Sequence, residues 1–324
     1  MAADAGASDS SHIRIVGAVA GIGSGLTKVT VGHGFDTIKT RLQCSPGTYR
    51  NAFDAFLTII RKEARLFGPL ALYKGATPPA VGWAAIDSLL MGSLHNYRLF
   101  LVRNGMTEST PVSGIPRLTM LGHGIAGLAA GITSTVIATP IEHLKVKLQL
   151  QSQRAISDRQ FKGPVDCIRQ IWRIQGPLGL WSGFTGSVAF RCNFFWMFLS
   201  FEGFMRAFSS LKGTPFEMSI GTANFLSGGL GAFVFWTMAM PADNIKNRMM
   251  SYPYPLSYPQ HSSELGRAPS LRETARSIHA QHGLPGFFRG LGPCFLRAFP
   301  TNACAFLVYE GMLRGFGAEK TRHS

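Results

Sequence analysis

Charge is scarce in this sequence. Asp, Glu, Lys and Arg make up 15% of its 324 residues, against about a quarter in soluble domains, which argues against an ordinary soluble fold. Acids are the scarcer sign, 17 against 32 bases, leaving a formal net charge of +15. That balance suits either a nucleic-acid surface or loops facing anionic lipid, and long uncharged stretches favour lipid. Cysteine is sparse as well. Cys44, Cys167, Cys192, Cys294 and Cys304 stand alone with no CxxC pair, which argues against a disulfide framework or a zinc site and reads as isolated apolar thiols. The first dozen residues hold two Asp and no Arg, so they read as neither a secretory signal nor an Arg-rich transit peptide. There is no HExxH, no GxSxG, no P-loop and no GxGxxG opening a βα unit, so no enzymatic activity, metal site or cofactor is expected. Lone histidines such as His33 and His123 read as helix-packing residues.

Apolar length and glycine, at 37 residues, are what the chain does have. About 20 apolar residues cross a bilayer as a helix, and membrane helices use Gly freely. Residues 118–141 and 218–242 carry no Asp, Glu, Lys or Arg, and 75–97 only Asp87. Three weaker stretches contain charge: 13–35 with Arg14 and Lys28, 184–201 with Arg191, and 291–309 with Arg297. Hydropathy alone supports three spans; internal repetition raises the number to six.

Three acid–base stretches line up: Gly34-Phe35-Asp36-Thr37-Ile38-Lys39-Thr40-Arg41-Leu42-Gln43, Pro140-Ile141-Glu142-His143-Leu144-Lys145-Val146-Lys147-Leu148-Gln149 and Pro241-Ala242-Asp243-Asn244-Ile245-Lys246-Asn247-Arg248-Met249-Met250. They recur about every hundred residues, the signature of a repeat architecture. A second landmark follows each: Tyr73-Lys74-Gly75, Trp181-Ser182-Gly183 and Phe288-Arg289-Gly290. A short amphipathic stretch precedes it, as at 51–63 and 165–175. Each unit thus reads as long helix, short surface helix, long helix. The expected layout is an unstructured segment at 1–12, repeats at 13–104, 117–210 and 217–316, and a tail at 317–324. Residues 251–270, rich in Pro, Ser and Tyr, read as a loop insertion.

With these motifs the chain resembles the mitochondrial carrier family, whose thrice-repeated signature is Pro-x-[Asp/Glu]-x-x-[Lys/Arg]-x-[Lys/Arg]-x-Gln. The resemblance runs roughly from Ile13 to Phe316. It departs from the pattern at Gly34 in place of Pro and Met250 in place of Gln. It implies an all-α membrane protein of six transmembrane helices in three pseudo-threefold repeats, with three short matrix-side amphipathic helices. It also implies a multi-pass location in the mitochondrial inner membrane, with a peroxisomal membrane as the lesser option, and a monomer with cardiolipin as its lipid. The aromatic–basic–Gly landmarks open helices whose free N–H groups suit lipid headgroups.

By the same resemblance, Asp36, Glu142 and Asp243 pair with Lys39, Lys145 and Lys246 of neighbouring repeats in a ring closing the cavity on the matrix side. Gln43 and Gln149 brace it, whereas Met250 has no strong hydrogen bond to offer. Exposed ion pairs contribute only about 0–1 kcal/mol each, so such a ring can open reversibly. Pro140 and Pro241 are expected to kink their helices, and Gly34 less strictly so. On the opposite side the family's [Phe/Tyr]-[Asp/Glu]-x-x-[Lys/Arg] gate is incomplete. Phe201-Glu202 and Tyr309-Glu310 keep the acids, Arg98 keeps a cation, and Leu94-His95, Met205 and Leu313 depart from the pattern. Arg206 and Arg314 are candidate substitutes. A weak cytoplasmic gate is expected, with the empty protein open to that side.

The family's binding positions, carried over, give Gly82 with Trp83, Phe190 with Arg191, and Arg297. Charges at mid-span are functional candidates. Two Arg favour a carboxylate, whereas Asp87 favours an amine, with Trp83 adding a cation–π contact. Together they suggest a zwitterion, an amino acid or carnitine-like compound, moved by alternating access between two salt-bridge gates. Asp87 pairing structurally with Lys28 or an Arg is the plainer option. A proton-leak carrier, or a carrier of another carboxylate or a nucleotide, shares the fold. No nucleic-acid partner is expected. The basic residues Arg50, Arg61, Lys62, Arg65, Arg154, Arg159 and Arg169 lie between landmarks, a positive-inside bias that puts those loops on the matrix side. Gly17, Gly21, Gly127, Gly131, Gly228, Gly229 and Gly231 read as helix-packing positions.

Overall fold

The computed structural model describes residues 2–45, 47–110, 114, 116–151, 159–254, 256–257, 259 and 261–315. Side chains are described within these except at 2–18, 20–22, 62–70, 299, 302–303, 305–306, 309–310 and 313–314. The expectations placed on Gly17, Gly21, Lys62, Arg65, Arg154, Tyr309, Glu310, Leu313, Arg314 and the tail at 317–324 therefore lie outside the described side chains or residues.

Each repeat is built from a long helix, a short helix ending in a 3-10 turn, and a second long helix. Repeat one holds α1 (Ala2–Cys44), α2 (Ala52–Phe67) and α3 (Thr77–Arg103); repeat two opens with α4 (Met120–Leu150) and α5 (Pro164–Gln175). Its second long helix is split into α6 (Phe184–Arg191) and α7 (Phe194–Ser209), and repeat three holds α8 (Ile220–Ser251), α9 (Leu271–His282) and α10 (Leu291–Gly315). Helix starts follow local chemistry. Thr119 and Ser219 accept hydrogen bonds from Gly122 N and Thr222 N, both at 3.1 Å, and Ser270 with Glu273 forms a capping box on α9.

The landmark glycines explain themselves. Gly75, Gly183 and Gly290 have φ of +77°, +83° and +88°, in the left-handed region. Each also abuts the next repeat. A Cβ would lie 3.1 Å from Leu148 Cβ at Gly75, 2.9 Å from Met250 Cγ at Gly183 and 3.0 Å from Lys39 Cγ at Gly290.

The helices close on themselves. α3 packs on α4, α6 and α7 on α8, and α10 on α1, while α1, α4 and α8 also meet one another. Large apolar side chains remain exposed on the long helices, among them Val81, Phe100, Ile132, Val136, Phe225 and Leu307. By length and apolarity α4 and α8 can cross a membrane. Under the short helices lie small buried clusters, such as Leu144, Leu148, Phe161, Cys167 and Ile171. Burial there pushes the Cys167 thiol up to about 12, as suits a packing side chain.

Four features differ from the sequence expectation. α1 starts at Ala2, ahead of the expected start at Ile13; residues 2–12 are rich in Ala, the strongest helix former. The expected single helix over 184–201 breaks at Cys192–Asn193, where Asn193 Nδ2 donates to Ala189 O at 3.0 Å and Phe190 O at 3.2 Å. A side chain competing for backbone carbonyls interrupts the helical ladder. The all-α expectation misses an antiparallel hairpin, β1 (Thr107–Ser109) and β2 (Pro116–Leu118), joining repeats one and two. Its facing residues Glu108 and Arg117 form an ion pair at 3.0 Å. Lastly, Pro300 lies inside α10, besides Pro140 in α4 and Pro241 in α8. Of the loop insertion expected at 251–270, Ser251 ends α8, and the described residues from Tyr252 to Ser270 hold a short 3-10 turn at Ser262–Glu264.

Candidate functional site

Where α1, α4 and α8, the first long helix of each repeat, converge, their signature charges interlock cyclically. Lys145 Nζ is 2.6 Å from Asp36, Lys246 Nζ 2.9 Å from Glu142, and Lys39 Nζ 2.7 Å from Asp243. Each first base thus reaches back to the acid of another repeat. The second bases reach forward. Arg41 donates to Gln149 O at 3.2 Å and Gln151 O at 3.3 Å, Lys147 to Ser251 O at 3.2 Å and to Tyr252 O, and Arg248 to Gln43 O at 2.9 Å. These carbonyls end α4, α8 and α1, where the helix dipole is negative and backbone acceptors lack partners. A layer of cationic helix caps therefore lies under the layer of ion pairs.

The residue after each acid ties its helix to the turn before the landmark. Thr37 donates to Leu72 O at 2.7 Å, His143 Nδ1 contacts Leu180 O at 3.3 Å, and Asn244 Nδ2 donates to Phe287 O at 2.7 Å. The landmark aromatics add a further tie. Pro140 has no N–H for the carbonyl of Val136, and Trp181 Nε1 donates to that oxygen at 2.9 Å. Tyr73 OH makes the matching bond to Thr30 O at 2.5 Å. None of the caps and ties was anticipated from the sequence. Their signal was the recurrence of donor-bearing side chains one and five places after each acid.

The braces divide. Gln43 Nε2 donates to Asp243 at 2.9 Å and its oxygen accepts from Asn247 at 2.5 Å, so it touches the ring. Gln149 does not. It accepts from Thr40 at 2.9 Å and donates to Thr37 at 3.2 Å, holding α1 instead of an ion pair. Met250 is fully buried against Cys44, Val146 and Leu150.

Above the ring is a cavity of about 300 Å³ lined by Trp83, Asp87, Phe190, Arg191 and Arg297 together with the ring charges. Gly82 is not among its walls. It packs on α4, where a Cβ would lie 2.4 Å from Ile141 Cδ1. The two arginines, expected to wait for a carboxylate, already hold one. Arg297 Nη1 is 2.6 Å from Asp36, and Arg191 Nη2 is 2.7 Å from Glu142 while its Nη1 donates to Ser134 at 2.9 Å. Asp243 takes Lys246 as its second cation at 3.2 Å. Every ring acid therefore faces two cations. Aromatic faces add to this: Lys39 lies 4.3 Å from the Trp236 ring centre and Lys246 4.0 Å from that of Phe190.

The opposite end is looser. Glu202 pairs with Arg206 at 2.7 Å on its own helix and approaches His123 at 3.7 Å, and Arg206 also pairs with Glu108 of the hairpin. Arg206 thus partners the Glu202 carboxylate, but along one helix and not between repeats. Arg98 lies over the Phe198 ring at 5.5 Å and forms no ion pair among the described residues. The glycine expectation holds at Gly127 and Gly131, where a Cβ would collide with α6 and α7, but not at Gly228, which has open space.

A family model described as "Mitochondrial carrier protein" matches residues 14–105, 116–212 and 220–320. The chain is 32% identical to mitochondrial substrate carrier family protein L of Dictyostelium discoideum, over 96% of this chain and 99% of the relative. It is 30% identical to the mitochondrial basic amino acids transporter of Bos taurus, covering 94% and 93% of the two chains. It is also 30% identical to the mitochondrial glycine transporter of Saccharomyces cerevisiae, covering 92% and 91%. The three family matches coincide with the three repeats and their ion-pair ring, and the chain belongs to the mitochondrial carrier family, whose members are transporters and not enzymes.

Proposed function

We propose that this carrier moves a small amino acid across the mitochondrial inner membrane by alternating access. The ion-pair ring is its matrix-side gate and the cavity above the ring its binding site, open toward the hairpin end and the cytoplasm. The observation that carries this reading is the cyclic ring itself, which floors a cavity enclosed by helices of all three repeats. The ring of helices and its exposed apolar side chains support six spans. The relatives named for glycine and basic amino acids favour amino acids over nucleotides or carnitines.

The ring is harder to open than exposed pairs would be. Its carboxylates are 1–20% exposed, and stranding a buried charge costs about 3–5 kcal/mol. A substrate carboxylate that takes Arg191 from Glu142 or Arg297 from Asp36 replaces one anion by another, so opening avoids that cost. Alternating access of this kind needs a ligand that binds the two states unequally, and the shared arginines supply the difference. On this reading Pro140, Pro241 and Gly34 are the bend points of the moving helices. Glu202, Arg98 and Glu310 belong to the cytoplasmic gate, the landmark turns hold cardiolipin, and the monomer is the working unit.

The test is reconstitution of the full chain in liposomes and exchange of labelled amino acids, nucleotides and acylcarnitines. Saturable exchange of amino acids is expected. Exchange confined to nucleotides or acylcarnitines, or proton conductance without solute flux, sinks the proposal.

A further inference from the structure

Among the described residues, ten charged side chains line the cavity, and eight of them are engaged in ion pairs. The remaining two, Lys28 on α1 and Asp87 on α3, have opposite signs and form no ion pair or side-chain hydrogen bond among the described residues. We infer that Lys28 and Asp87 form a charge dyad that reads the carboxylate and the ammonium of an amino acid with an uncharged side chain. This rests on the amino-acid reading above and narrows it.

The placement supports a station reached before the ring. Lys28 lies two turns before Asp36, about 12 Å along α1. Asp87 is exposed to the cavity and feels the charges of Lys28 and Arg191, but neither lies close enough to pair with it. A charge lining the cavity without a protein counter-charge among the described residues gains one from a ligand of the opposite sign. One free cation and one free anion match one ammonium and one carboxylate. A basic amino acid needs a second free carboxylate, and each of the three ring acids already holds two cations. An acidic amino acid needs a second free cation, which among the described lining residues comes from rupture of the ring. The dyad therefore selects net-neutral zwitterions, and the arginines are recruited afterwards, when the carboxylate moves down to the ring.

The experiment uses the reconstituted full chain and whichever of glycine, alanine, serine or leucine it exchanges best, with the matching 2-hydroxy acid and amide as competitors. Each competitor lacks one of the two charges. Asp87→Asn is expected to raise KM about tenfold or more, the scale of losing a charge-assisted hydrogen bond, and to let the 2-hydroxy acid compete. Lys28→Gln is expected to raise KM similarly and to let the amide compete. Neither change is expected to lower the unfolding temperature in detergent, because neither residue holds a protein partner. Unchanged KM in both variants, loss of discrimination against the wrong analogue, or a lowered unfolding temperature overturns the dyad while leaving amino-acid transport standing. Failure of the unaltered protein to exchange any amino acid overturns both.

Discussion

Arg297 Nη1 lies 2.6 Å from Asp36 Oδ1, while the other oxygen of that carboxylate is held at 2.6 Å by Lys145. One carboxylate of repeat one is thus shared by a cation from repeat two and a cation from repeat three. A simple charge swap therefore cannot be neutral here. Asp36→Lys with Lys145→Asp restores one pair but sets the new lysine against Arg297. The swap alone is expected to lower the unfolding temperature and abolish exchange. Adding Arg297→Gln is expected to recover stability, because the surplus cation is gone. Equal stability of the double and triple variants contradicts the shared carboxylate. A difference of about 1–3 kcal/mol is expected, the usual range for coupled charged neighbours.

Lys147 tests the cap layer separately from the ring. Its ammonium donates to Ser251 O and Tyr252 O at the end of α8. Lys147→Met keeps the buried stem and removes the donor. The expected loss is about 1.5–3 kcal/mol, as for hydrogen bonds to charged groups, read as a lower unfolding temperature. Lys147→Arg is expected to retain most of the stability, since Arg41 and Arg248 perform the same capping in the other repeats. Equal losses for Met and Arg indicate a packing role instead.

Periodicity made the architecture legible. The acids, first bases and landmark glycines recur in order, and their cyclic contacts follow from threefold placement. What broke the symmetry was hidden because it depends on neighbours far along the chain. Nothing around Arg191 announces that it reaches Glu142, since that contact depends on the break at Asn193 and on the close approach of Gly131. Gln149 looked equivalent to Gln43, yet Thr37 and Thr40 draw it to α1, whereas Asn247 holds Gln43 beside Asp243. Gly82 matched a family binding position, but Ile141 fills the space its side chain would need. The hairpin at 107–118 was missed because three-residue strands leave almost no alternation to read.

Trp181 and Pro140 form a compensating pair. The proline withholds an N–H from Val136 O and the indole supplies one at 2.9 Å. Trp181→Phe is expected to cost about 1–3 kcal/mol by leaving that carbonyl unpaired. Pro140→Ala returns a backbone donor, so the loss from Trp181→Phe should shrink in its presence. A double-mutant cycle on unfolding temperature measures the coupling. Strict additivity of the two substitutions shows that the indole acts through packing alone.

Gly131 and Gly228 provide a matched contrast between two glycines that look alike in sequence. At Gly131 an added Cβ would lie 2.4 Å from Arg191 O, a backbone atom with no freedom to turn aside. Gly131→Ala must therefore push the α6–α7 break away from α4 and draw Arg191 off Ser134 and Glu142. Overpacking of this kind costs about 1–3 kcal/mol, and exchange should fall with it. At Gly228 a Cβ meets nothing within 4 Å. Gly228→Ala should instead gain up to about 1 kcal/mol from helix propensity and leave exchange unchanged. Parallel unfolding and flux measurements on the two variants decide the matter: similar behaviour at both positions means that the close contact of α4 with the break does not position Arg191.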